Sequence, residues 1–188
     1  TWVAMDPALR ETMLAKGDLD AITGFTFTSL LNLEARGVKV EDVAIMQYPD
    51  YGVKLYGNAI IASPKFIKEN PAAVKAFLAA FTKAAKEVVA NPAEGITYVK
   101  ARDGIINVPL EERRLKLAID TVIASPDARK EGFGKINDGR LTLMASQVSD
   151  AFSTKTRVDR NAIWNGSFLP ADAALNAVLP VAKAAAKK

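Results

Sequence analysis

Hydrophobic positions in the first third of the chain fall into short runs separated by stretches of helical spacing. Trp2, Val3, Ala4 and Met5 form one apolar run, and residues 20–23, 43–48 and 55–62 repeat the form. Short apolar runs bounded by Gly, Pro or Asp predict strands. Between them the period changes. Leu9, Met13 and Leu14 lie on one helix face, with Asp6 as N-cap, Pro7 at the first helical position and Gly17 as a left-handed stop. Leu30, Leu31 and Leu33 mark a second helix, closed by Gly37. Strand–helix–strand–helix–strand at this spacing predicts parallel pairing through right-handed crossovers, and so an α/β fold.

From residue 63 the pattern is helix after helix. Ser63-Pro64 opens a short one. Asn70-Pro71 opens a long one, with Val74, Phe77, Leu78, Phe81 and Val88 as its apolar face. Asn91-Pro92 ends that helix and starts the next, which carries Ile96 and Val99. Residues 109–124 hold Leu110, Leu115, Leu117, Ile119 and Val122, and Ser125-Pro126 breaks the run. Asp138 is placed to cap a helix that turns Leu141, Met144, Val148 and Phe152 inward. "IWNGSFLP", 163–170, reads as a turn-rich loop before a last short helix and an Ala/Lys tail. The change near residue 50 is the one boundary signal. The opening "TWVAMDP" has no initiator Met and no leader pattern, and reads as a start inside a fold with an N-terminal portion missing.

Composition narrows the function classes. The 188 residues are 49% apolar and 24% charged, an ordinary globular balance. No apolar run approaches the roughly 20 residues that span a bilayer. The net charge is +4, but the basic residues alternate with acids instead of clustering among aromatics, so no nucleic-acid partner is expected. There is no cysteine and no histidine. Thiolate chemistry is thereby excluded, and the commonest general acid/base and metal ligand are missing. The expectation is a protein that is not an enzyme, with no cofactor and no metal.

Two stretches carry candidate chemistry. Gly24, Phe25 and Thr26, followed by Phe27, Thr28 and Ser29, lie where a predicted strand meets a helix. Open α/β sheets bind ligands at the carboxyl ends of their strands, so these residues read as a cleft wall. Phe25 and Phe27 are read as able to sandwich a planar ligand. The second stretch, "PDYGVKLYGN", gathers Asp50, Tyr51, Gly52, Tyr56 and Asn58, a set suited to a small polar or aromatic molecule. Glu111, Glu112, Arg113 and Arg114 read as a solvated helix face with partners at i,i+3 and i,i+4. "GFGKINDGR", 132–140, matches neither phosphate-loop nor dinucleotide spacing and reads as a plain loop.

Three stretches together resemble the NMT1/THI5-like family: "MDPALRETMLAKGDLDAITGFTFTSLLNLEARG", "DYGVKLYGNAIIASPKFIKENPAAVKAFLAAFTKAAKEVVANP" and "IWNGSFLP". The segment from Ser63 to Phe77 is the most specific part. The resemblance covers nearly the whole chain and the second half of a family member. It implies a type II periplasmic-binding-protein-like fold, a partial two-lobed structure. Residues 1–49 would be the later part of a second α/β lobe, and 50–188 the crossover and the C-terminal helical part of the first. It implies the substrate-binding component of an ABC importer, taking a pyrimidine, a sulfonate, nitrate or a similar solute between its lobes by hinge closure. The expected partners are that solute, a membrane ABC permease and the missing N-terminal portion, in the periplasm. Gly24, Phe25, Thr26, Asp50, Tyr51, Gly52, Tyr56 and Asn58 would line the ligand site. The family also contains THI5-type enzymes that make the thiamine-precursor pyrimidine with histidine and iron-binding residues, and these are the alternative.

Overall fold

The computed structural model describes residues 1–171. Among them are nine α-helices: α1 Arg10–Lys16, α2 Thr26–Glu34, α3 Pro64–Glu69, α4 Pro71–Ala90, α5 Pro92–Arg102, α6 Val108–Ala118, α7 Pro126–Glu131, α8 Asp138–Ala151 and α9 Arg160–Ile163. The capping chemistry works as the residues suggest. The side chains of Asp6, Ser63, Asn91 and Ser125 each accept a backbone N–H of the turn they open. Gly17 ends α1 at φ 79°, a left-handed conformation that glycine adopts without strain. Asn137, not Asp138, caps α8, by accepting the Arg140 N–H. After α6 the chain continues through a π-helical turn, Ile119–Ile123. The last helix expected before the Ala/Lys tail lies outside the described residues.

The α/β expectation is overturned. No strand occurs among the described residues. Residues 2–5, 20–23, 43–47 and 53–62 are neither helix nor strand, and no backbone hydrogen bond joins any two of these segments. Apolar alternation marks a backbone that is extended. A sheet also needs a neighbouring backbone within about 4.8 Å, and a local pattern does not supply one. Side chains of helices take some of the carbonyls that a ladder would have used. The Arg10 guanidinium donates to the Thr23 carbonyl, and Arg140 donates to those of Lys54 and Leu55. The segments stay open to solvent, with Trp2 at 92% exposure and Ile61 at 89%.

The core is helical. α2 packs on α1 and α6, α6 on α5, and α5 on α4. Leu31 and Leu33 of α2, Ile96 of α5 and Ile119 after α6 are buried. Val89, Ile119 and Ala124 form one apolar cluster, with Leu115, Ile123 and Ala128 against it. At Gly95, α5 passes close to α4: a Cβ there would come within 3.2 Å of both Val88 methyls. The inward side of α4 is rotated from the expected face. Thr82 and Val89 are buried, while Phe77 and Phe81 are exposed and stack in a row with Phe133, at 6.2 and 6.4 Å between centroids. Phe152, expected inward, is also exposed.

Candidate functional site

The Gly24–Ser29 turn is held from two sides. On the α1 side, Arg10 Nη1 donates to the Thr23 carbonyl at 2.6 Å. The next residue, Glu11, is buried and accepts the Ser29 hydroxyl at 2.7 Å. Gly24 makes this possible, because a Cβ at that position would lie 2.2 Å from Ser29 Oγ. On the α6 side, Arg114 reaches across. Its Nη1 donates to the Phe27 and Thr28 carbonyls at 3.2 Å each, its Nη2 to Asn32 Oδ1 at 3.1 Å, and its Nε to Glu111 at 2.9 Å. The Glu111–Arg114 pair expected at i,i+3 is present. The solvated-face reading fails for Arg114, whose side chain is only 20% exposed.

Phe25 stands at the N-cap position of α2 with extended backbone and no side-chain cap. Its carbonyl takes the N–H groups of Thr28 and Ser29. Phe25 and Phe27 stack on each other, with centroids 5.2 Å apart and planes 22° from parallel. They leave no slot for a planar ligand between them, which corrects the sandwich expectation. Phe25 nevertheless keeps 44% of its surface exposed.

The second stretch is mounted on α8. Residues Tyr48–Tyr51 make a single 3-10 turn, ended by Gly52 at φ 83°. The Gly52 carbonyl accepts from Gln147 at 3.0 Å. Tyr56 N–H donates to the Met144 sulfur at 3.4 Å, and the Tyr56 hydroxyl accepts the Asn137 N–H at 2.7 Å. Asp50, Tyr51 and Asn58 are exposed, while Tyr56 is half-buried.

The two stretches meet at one place. Gly57 lies near Phe25: a Cβ built on it would be 3.9 Å from Phe25 Cε1, ordinary contact distance. Gln47, at the end of another non-helical segment, donates to Thr26 Oγ1 at 2.9 Å. Phe25 and Thr26 are therefore flanked by the end of one non-helical segment, at Gln47, and the middle of another, at Gly57. Asp50, Tyr51 and Gly52 share no hydrogen bond with Gly24–Thr26 among the described residues. Sequence reading missed Gln47, Glu11, Arg114 and Arg140. Nothing in the local pattern separates these side chains from ordinary surface polar residues. Among the described residues, no three carboxylate, cysteine or histidine side chains are grouped to hold a metal ion.

Arg113, next to Arg114, makes a two-pronged pair with Glu34 of α2, both bonds 2.7 Å. The hydrogen bonds from Arg113 are the main reason that the Glu34 carboxyl sits below its usual 4.5. With the folded value below the unfolded one, the pair's contribution is present above the unfolded value and is lost as pH falls through the folded one. The stability gap between the protein and its Glu34→Gln variant is thus expected to be full at neutral pH and to close as the pH falls below the ordinary carboxylate range. Urea melts across that range check this. A constant gap would show that the pair contributes nothing.

The family model described as NMT1/THI5 like matches residues 3–95, a span that holds every candidate site residue. No curated protein and no solved structure matches the chain. Through residues 3–95, the chain belongs to the NMT1/THI5-like family.

Proposed function

We propose that this chain is the solute-binding component of an ABC importer. It captures a small polar solute against the wall formed by Gly24, Phe25, Thr26, Tyr56 and Asn58, with Asp50, Tyr51 and Gly52 as a second patch. The observation that carries this reading is the approach of two other segments to Phe25 and Thr26: Gly57 beside the ring and Gln47 bonded to Thr26. A half-exposed aromatic next to the Thr26 hydroxyl and the Gln47 amide offers an apolar face with a few orienting polar atoms, the usual make-up of a small-molecule site. Family membership supports it. Closure of the protein over the solute, periplasmic location and delivery to a membrane permease complete the proposal.

Native mass spectrometry beside denaturing spectra tests it first. A small mass retained under native conditions and lost on denaturation is expected. Titration calorimetry with an aminopyrimidine, taurine and nitrate then separates the solute classes. Phe25→Ala is expected to weaken binding about tenfold, as about 1.4 kcal/mol of lost ring contact would give, and to lower stability by less. Equal losses of both would make Phe25 a packing residue only. Family membership fits a THI5-type enzyme as well, and turnover of a candidate pyrimidine precursor would select that reading.

A further inference from the structure

The structure assigns Arg140 as the positioning residue of the Tyr56–Asn58 wall, and this rests on the binding reading given above. Arg140 sits in the first turn of α8. Its Nε donates to the Lys54 carbonyl at 3.1 Å and its Nη2 to the Leu55 carbonyl at 2.7 Å. Its Nη1 reaches Asp127 at 2.6 Å. Its guanidinium carbon lies 4.3 Å from the centroid of the Tyr56 ring. One planar cation thus grips two consecutive carbonyls and the ring that follows them, and Asp127 orients it from behind.

The cap of α8 closes the arrangement. Asn137 Oδ1 accepts the Arg140 N–H at 3.0 Å, and the Asn137 N–H goes to the Tyr56 hydroxyl. The next residue in the chain is Gly57, the one that meets Phe25. Residues 54–56 have no ladder partner to fix them, so the place of Gly57 against Phe25 depends on this grip. Arg140 itself has its three donor nitrogens engaged within the protein. It shapes the wall without offering its charge to the solute. Lysine cannot replace it: an ammonium carries no planar fork to span two carbonyls and stack on a ring.

The test reads the wall directly. Gly57 is close enough to the Phe25 ring that its α-protons are expected to carry a ring-current displacement in NMR spectra. The methyl of Met144 reports on the Tyr56 N–H contact. Arg140→Lys and Arg140→Met are expected to lose most of the Gly57 displacement and to shift the Met144 signal. Asp127→Asn, on the surface, is expected to lose part of it. Arg113→Met, which removes a separate ion pair, should leave both signals in place at a comparable melting temperature. Retention of the Gly57 displacement in Arg140→Lys and Asp127→Asn would overturn the assignment, even if Arg140→Met fails to fold. Calorimetry with the aminopyrimidine, taurine and nitrate adds a second arm. Weakening of about tenfold in Arg140→Lys, with the fold intact, supports the positioning role in binding. Binding unchanged while Gly57 moves would overturn that role. Failure of the wild-type protein to retain any solute sinks the binding reading alone, and leaves the structural result standing.

Discussion

Leu33→Ala is expected to lower the stability of the protein by about 2–5 kcal/mol, the range for truncating a buried leucine. Leu33 is 2% exposed, the lowest of the large apolar residues on α2. That helix packs on both α1 and α6, so the cavity would open where three helices share one interface. The buried apolar set is small among the described residues, which leaves few neighbours to collapse into the gap. For a domain of this size, the loss corresponds to a melting temperature lower by about 5–15 °C. Chemical denaturation with an unchanged slope would confirm it. A change below about 1 kcal/mol would mean that α2 relaxes freely onto its partners, and that the shared interface is not the centre of the fold.

Arg114→Met has the second largest expected effect. Methionine keeps much of the stem but removes five donors. The carboxylate of Glu111, 26% exposed, would lose its cation, and Asn32 and the Phe27 and Thr28 carbonyls would lose their donor. Single bonds of this charged kind contribute about 1.5–3 kcal/mol, and they do not add within one network. Partial solvent access reduces the total, so about 2–4 kcal/mol is expected. Arg114→Met/Glu111→Gln should recover part of the loss, because the stranded carboxylate goes with it. Full additivity of the two changes in denaturant melts would rule out the network. The same variants bear on the candidate site, since Arg114 is what ties the α2 first turn to α6.

Those two residues illustrate what a single sequence discloses. Leu30, Leu31 and Leu33 were readable as the mark of a helix, but Leu31 and Leu33 are two positions apart and lie on different faces, so their joint burial comes from α1 and α6 packing on either side. The helix openings at Asp6, Ser63 and Asn91 were readable because donor and acceptor are two or three residues apart, while Ser125, read only as a break, also caps a helix. Arg114 was not. It sits within "EERR", four side chains of similar local merit, and only the approach of α2 more than eighty positions away chooses among them. The strands failed in an instructive way. Residues 43–48 and 55–62 were read as strands and form none, because pairing is a relation between distant backbones and has no local signature. At the site, the chemistry of Phe25, Thr26 and Tyr56 was visible in residue types. The Phe25–Phe27 stack and the neighbourly role of Gly57 depended on geometry alone.

The open non-helical segments also govern how the chain behaves in a crowded solution. Residues 58–62, Asn-Ala-Ile-Ile-Ala, carry no charge, and Ile60 and Ile61 face solvent. A strip of that kind, with backbone groups outside any ladder, is a template on which another copy can stack edge to edge. Lys54 and Lys65 stand to either side of it as gatekeepers, and the chain's net charge of +4 keeps copies apart. That protection is electrostatic and works over a distance of about 10 Å at moderate ionic strength. Added salt shortens that reach while leaving the isoleucines exposed, so the separation of copies weakens as ionic strength rises.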